Sequence, residues 1–263
     1  MELYLAFVGN LNALGAGRAG LVGMGGVGKT QLAIEFAYRM GFAFDAVYWI
    51  QGNDPSRWRK EFVALARDRL GLRVEPEAGE GDDERAIAVL DAHFRKHPHQ
   101  LVVMDNVADP QQLNREGPLF SMTPLSLSCD LLFTTRQMFD LPGVAALDVG
   151  ILSPAASMHL LSSYRAPRSN DDGKNALAIC GALGHLPLAL VLAGAYLREY
   201  AAEVSFATYL SELRRNRLDA IDVGKLSPEH LATRHDAAVR TTLRSQWDML
   251  HDSTARHLFC LAG

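Results

Sequence analysis

The stretch that decides the fold is GMGGVGKT, Gly23 to Thr30, set between the apolar AGLV at 19–22 and the helical QLAIEFAYRM at 31–40. It has the spacing GxxxxGK[ST] in the strand-to-helix context that this pattern needs. A phosphate chain is dense with negative charge, so a loop that holds one must turn its backbone N–H groups inward. Glycines at 23, 25, 26 and 28 allow the φ angles for that. The expected phosphate-holding positions are Gly25, Gly26, Val27, Gly28, Lys29, Thr30 and Gln31. Lys29 can reach the β and γ phosphates, Thr30 can offer its hydroxyl to Mg²⁺, and the positive end of the following helix adds to the field. The competing reading is a glycine-rich turn with no ligand, which would weaken local structure to no purpose.

Working outward, short apolar runs alternate with amphipathic stretches through the first half: AGLV, AVYWI, LVVMD, DLLFTT and ALDVG. That is the βα rhythm of a parallel sheet. LVVM and LLF show no polar alternation, as befits central strands covered by helices on both faces. Helices are expected over 31–40, 55–70 and 82–97, the last with acids first and Arg95, Lys96 and His97 last. VEPEAGEGDD before it reads as an exposed loop. After about Gly150 the strand signals stop, and helical spacing runs over 153–164, 171–183, 186–200, 206–214 and 239–250. Ser153-Pro154 and Asp171-Asp172 look like N-terminal caps, and Gly184 like a C-terminal glycine before Pro187 opens the next helix. The expected architecture is α/β, a parallel sheet flanked by helices over 1–150, then an all-α domain over 151–225.

A nucleotide site also needs an acid at the end of another central strand. LVVMDN places Asp105 there, to hold Mg²⁺ partly through water. Its competing role is to cap the strand end. Asn106 follows, where an amide can orient a water but cannot take its proton, which argues against fast hydrolysis. DLLFTT ends in Thr134, Thr135 and Arg136, presenting a hydroxyl and a guanidinium at the carboxyl edge of the sheet, where ligands of open α/β sheets lie. Arg136 suits a γ phosphate, or else pairs with a surface acid. Asp105, Asn106 and Arg136 are thus the candidate catalytic residues, with Thr30 and Asp105 on the metal. Pro187, within GALGHLPLALVLAG, is by physics alone a helix-opening core residue.

Composition narrows the class. The chain has 263 residues, 48% of them hydrophobic, enough to bury a sizeable core, and a formal net charge of −4, so no global positive field draws it to nucleic acid. A nucleic-acid-binding regulator is kept as an alternative on Arg214, Arg215 and Arg217 and on Arg57, Arg59 and Lys60 around Trp58. The solvated helix face is the blander explanation of both runs. Cys129, Cys180 and Cys260 form no CxxC pair and read as buried thiols. His93, His97 and His99 raise a zinc question, but no Cys or acid stands at ligand spacing and Pro98 breaks the helix. The N-terminus lacks a basic signal-peptide region, and the most apolar run, 186–197, is too short to span a bilayer. A cytoplasmic protein is expected.

Taken in order, GMGGVGKT, LVVMDN, LLFTTR and GHLPLAL resemble the NB-ARC family of STAND-class P-loop ATPases over about Leu21 to Leu213, with QLAIEFAYR and FDAVYWIQ most like bacterial members that carry tetratricopeptide repeats. The resemblance implies an ADP/ATP switch. ADP between the nucleotide domain and the helical domain keeps it closed, and exchange for ATP opens it and permits homo-oligomerisation. It also implies that Pro187 contacts the base or sugar, that Arg136 senses the γ phosphate, and that Phe7, Val8 and Gly9 open the family's FVGR segment, with Asn10 in place of Arg. Residues 226–263 resemble the start of a winged-helix domain, and MLHD at 249–252 is not the family's Met-His-Asp motif. Sensor and effector domains would then lie on a longer protein. A fast-turnover motor or phosphotransferase on the same fold is the enzyme-class alternative.

Overall fold

The computed structural model describes residues 17–74, 81–97, 99–114 and 127–222, the last seven of them by backbone alone. Phe7 to Asn10, most of the acidic loop before residue 81, Pro98, the helix expected over 239–250, Cys260 and the winged-helix-like tail lie outside the described residues, as does the Arg217 side chain. The chain divides into two compact units with the boundary between Val149 and Gly150.

In the first unit, strands β1 (Arg18–Val22), β2 (Ala46–Gln51), β3 (Gln100–Val107), β4 (Asp130–Thr135) and β5 (Ala145–Asp148) form one sheet in the order β2-β3-β4-β1-β5. All four pairings are parallel. The runs without polar alternation are the inner strands. Every residue of LVVMD and of LLFTT is buried, whereas the edge strand β2 is largely half-buried and β5 alternates half-buried with exposed residues. On one face Val102, Met104, Leu131 and Phe133 meet Trp58, Phe62 and Leu65 of helix α2 (Pro55–Ala64) and its extension, and Ile87, Leu90 and Phe94 of helix α3 (Asp82–Lys96). The alternate residues Leu101, Val103 and Leu132, equally buried, point by the pleat to the opposite face. Helix α1 (Lys29–Met40) lies against β1, β3 and β4 and buries Ala33 and Phe36. A parallel sheet with helices on both faces, its first strand running through a glycine loop into a helix, is the P-loop NTPase fold.

The helix expected over 55–70 is not one continuous α-helix. It ends at Ala64 and continues as a π-helical turn, Leu65–Arg69, closed by the Leu70 N–H on the Leu65 carbonyl at 3.0 Å. An unbroken 3.6-residue period after Phe62 and Ala66 would carry Arg69 to the buried face. The extra residue in the wide turn shifts the frame, so Arg67 and Arg69 stay in water while Leu70 and Leu72 pack on the core.

The second unit contains α4 (Pro154–Tyr164), α5 (Asn170–Ala182), α6 (Pro187–Glu199) and α7 (Phe206–Asp222). Ser153 caps α4 by accepting the Ala156 N–H at 3.2 Å. The cap of α5, however, is Ser169, whose hydroxyl accepts the Asp172 N–H at 3.1 Å; Asp171 and Asp172 lie inside the first turn. A cap residue needs an extended backbone, which Ser169 has, while the acids two and three positions further in act on the helix dipole instead. Gly184 and His185 both take positive φ, 63° and 56°, between Leu183 at the end of α5 and Pro187 at the first position of α6. The Arg165 guanidinium donates to the Leu197 and Val204 carbonyls at 3.1 and 2.6 Å, tying the end of α4 to the end of α6.

Gly194 of α6 packs directly on Tyr164 of α4. A Cβ there would lie 2.7 to 2.9 Å from Tyr164 Cγ, Cδ2 and Cβ, the rigid root of that side chain. Gly173 of α5 has nothing within 4 Å of the same position. Replacing either glycine by alanine gains about 1 kcal/mol of helix propensity, against roughly 1–3 kcal/mol for overpacking at 194 alone. Thermal unfolding should therefore show a lower midpoint for Gly194→Ala and a higher one for Gly173→Ala.

Candidate phosphate-binding site

The loop after β1 ends at Gly28, the N-cap of α1, whose φ of 97° and ψ of 19° is a left-handed conformation that a Cβ resists. No side chain caps α1, and its first turn contains no acid. Its leading amides therefore suit an external anion. A Cβ on Gly28 would meet no protein atom within 4 Å, so the space beside the loop is open. Lys29 curls back over the loop, its ammonium donating to the Gly23 and Met24 carbonyls at 2.9 and 2.8 Å. Burial, and then the nearby Arg136 guanidinium, hold the Lys29 pKa below its usual value, with Asp105 opposing them.

The next residue reaches across the sheet. Thr30 Oγ1 donates to Asp105 Oδ1 at 2.8 Å, and Thr134 Oγ1 donates to the same oxygen at 2.6 Å. Asp105 is only 9% exposed. Asn106, at φ 61°, is exposed and gives its backbone N–H to Thr134 Oγ1 at 2.7 Å. Arg136 follows β4 and lies beside the loop, its Cζ 3.5 Å from where a Cβ on Gly25 would stand.

The fold thus gathers the glycine loop, Lys29, Thr30, Asp105, Asn106 and Arg136 at the carboxyl ends of β1, β3 and β4. Gln31 sits exposed in the first turn of α1. Pro187 belongs to the second unit, at the first position of α6. The donor set consists of a hydroxyl, a carboxylate, an ammonium and a guanidinium, which fits a polyphosphate with Mg²⁺, a cation that takes hard oxygen ligands. Sequence reasoning placed the Thr134 hydroxyl at the sheet edge without seeing that it holds Asp105. It missed Gly52 altogether. The Gly52 N–H donates to the Asp105 carbonyl at 2.6 Å, and a Cβ there would come within 2.8 Å of that oxygen. The only signal for it is a glycine directly after AVYWIQ.

Other sequence candidates fall elsewhere. Trp58, proposed with its basic neighbours as a nucleic-acid feature, is 1% exposed in the core and offers no stacking surface. Arg57 pairs with Glu61, and Arg59 with Asp83 and Glu84. His93 and His97 stack with ring centroids 4.5 Å apart on α3, and burial lowers the His93 pKa. Among the described residues no group of three or more His, Cys, Asp or Glu could hold a metal ion. Burial raises the Cys129 pKa to about 12 and that of Cys180 to about 11, so both are poor nucleophiles. No helix among the described residues is long and apolar enough to cross a membrane.

The NB-ARC domain family model matches residues 9–170, a span that includes the whole glycine loop, Asp105 and Arg136. The chain belongs to the NB-ARC family. This NB-ARC chain is 30% identical over 247 residues to the regulatory protein AfsR of Streptomyces coelicolor, covering 90% of this chain and 22% of that protein. It is 30% identical over 254 residues to the AfsR of Streptomyces griseus, covering 92% and 24%. It therefore spans less than a quarter of the length of these curated relatives. A solved structure similar to it is that of a STAND signal-transduction ATPase with a tetratricopeptide repeat sensor from Pyrococcus horikoshii. The two are 13% identical with a TM-score of 0.43, and the match covers 89% of this chain and 38% of that one.

The loop separates two kinds of glycine. Gly25 has ordinary contact distance to Arg136 and no positive φ, whereas Gly28 has open space and a left-handed backbone. In nucleotide-free protein, Gly28→Ala should cost about 1–2 kcal/mol in chemical denaturation, and Gly25→Ala less than about 0.5 kcal/mol.

Proposed function

We propose that this NB-ARC chain is the switch portion of a signalling regulator, binding ADP or ATP with Mg²⁺, closed with ADP and self-associating with ATP. The observation that carries the reading is the Thr30–Asp105–Thr134 cluster beside a lysine folded over a glycine loop. The two Streptomyces relatives are regulatory proteins, which supports the signalling role. In this proposal residues 1–150 form the nucleotide domain, 151–225 the helical domain and 226–263 the start of a winged-helix domain.

The amides of Gly25 through Gln31 would hold the phosphates, and Lys29 would bridge their β and γ oxygens. Mg²⁺, bound with the nucleotide, supplies positive charge against the phosphate oxygens. Thr30 and Asp105 would hold it, Asp105 partly through water. Arg136, beside the loop at Gly25, would read the γ phosphate with a planar fork suited to its oxygens. Pro187 would lie against the base or sugar. Asn106 can orient a water but not deprotonate it, so the chemistry that resets the switch is slow. Sensor and effector segments would lie outside this chain, on a longer protein or on partner proteins, and the site's own chemistry calls for no nucleic acid or membrane.

The full chain purified without added nucleotide should release ADP on denaturation, identified by chromatography, and Lys29→Ala should release none. Single-turnover ATP hydrolysis should run below about 1 s⁻¹, the lower end of ordinary turnover. Guanine nucleotide, or wild-type protein that gives no heat with ADP or ATP plus Mg²⁺, would sink the reading, and fast hydrolysis would replace the switch with a motor or transferase.

A further inference from the structure

The β3–β4 ladder runs in register from Leu101↔Asp130 to Met104↔Phe133 and resumes at Val107↔Thr135. Between those points Asp105 and Asn106 face a single residue, Thr134. Two residues against one is a β-bulge, a device that re-aims a side chain at the end of a strand. It comes here with a left-handed Asn106 at φ 61°. The Asn106 N–H, displaced from the ladder, donates to Thr134 Oγ1 at 2.7 Å, and that hydroxyl donates to Asp105 Oδ1 at 2.6 Å.

We propose that Thr134 is a positioning residue of the nucleotide site. Its hydroxyl pins the bulge and orients the Asp105 carboxylate, so that Thr30 and Asp105 are set to hold Mg²⁺ with the nucleotide. The inference rests on the nucleotide-binding reading and adds to it a residue in contact with neither nucleotide nor metal. A hydroxyl has one hydrogen and two lone pairs, and here the hydrogen goes to the carboxylate while a lone pair takes the amide. The β-branch of threonine stiffens χ1, so the oxygen stays where both partners need it. Thr134 is 1% exposed, and water has little access to replace either bond. The Asp105 oxygen has two tethers, one from α1 and one from β4. Removing the β4 tether leaves Thr30 alone to aim the carboxylate and leaves the Asn106 amide without its acceptor.

The test is the magnesium dependence of ADP affinity in the full chain, measured by calorimetry with Mg²⁺ and with EDTA. Removing an outer partner of a metal-holding group typically lowers metal affinity roughly 10- to 100-fold. Thr134→Val, close in shape but without the hydroxyl, should lose Mg²⁺-dependent tightening by a factor in that range, keep its affinity in EDTA, and exchange the Asn106 amide hydrogen faster in nucleotide-free protein. Thr134→Ser should retain most of the tightening. If Thr134→Val does not fold, Thr134→Cys, with a weaker donor and acceptor, is read the same way. The proposal is overturned if Thr134→Val keeps its Mg²⁺ dependence within twofold, if Thr134→Ser loses as much as Thr134→Val, or if Asn106 exchange is unchanged. A purely structural role for Thr134 would lower the melting temperature without moving the ratio of the two affinities. Failure of the functional reading looks different, since wild-type protein would then bind no adenine nucleotide in either condition.

Discussion

A carboxylate almost without solvent stands at the end of β3, and the protein has to answer its charge. An unpaired buried carboxylate costs several kcal/mol. Asp105 is answered by two hydroxyls, from Thr30 and Thr134, and lies near enough to Lys29 for its negative charge to favour that ammonium. These groups come from three places in the chain: the start of α1, the end of β3 and the end of β4. The sheet order brings them together. With β4 between β1 and β3, the Thr134 hydroxyl lies in the strand beside Asp105. Thr30, at the head of the helix that leaves β1, spans the two strand spacings, roughly 10 Å, from β1 to β3. The connection order of the strands is thus part of the site's electrostatics.

The same cluster carries more positive than negative charge. Lys29 is buried, Arg136 lies beside the loop, and Asp105 is the acid that faces them. The Lys29 pKa is pushed down chiefly by burial and then by Arg136, so the site tolerates its ammonium rather than favouring it. A polyanion on the loop amides would set negative charge against Lys29 and Arg136 and favour the ammonium. Phosphate binding and the stability of the folded loop are therefore linked, as ligands that bind only the native state require.

What was legible in the sequence is what local chemistry writes. The glycine loop with Lys29 and Thr30, the unalternated LVVM and LLF runs, Asp105 at a strand end and Pro187 at a helix start each carry their signal within a few residues. What was not legible depends on neighbours distant along the chain. Nothing near Thr134 says that Asp105 lies beside it, because that needs the strand order and the bulge. The π-turn after Ala64 answers the demands of a core that residues 55–70 do not contain. Trp58 between basic residues looks like a stacking platform until the sheet is there to bury it. At α5 the sequence points to Asp171-Asp172 as the cap, whereas Ser169 is the residue with the extended backbone that a cap needs.

Asn106 shows how backbone and chemistry can be separated at one position. The bulge demands φ 61°, which asparagine and aspartate both tolerate better than most residues. The backbone therefore does not select the amide over the acid. A second carboxylate next to Asp105 in the chain would add a like charge near it, and like charges close together disfavour ionisation of both. It would also supply the base that draws a proton from water. Asparagine keeps the conformation, spares Asp105 a repelling neighbour and leaves the base out. In a site whose proposed task is to hold a nucleotide and report which one it holds, those three effects agree, because a bound triphosphate that is slow to hydrolyse is a signal that lasts.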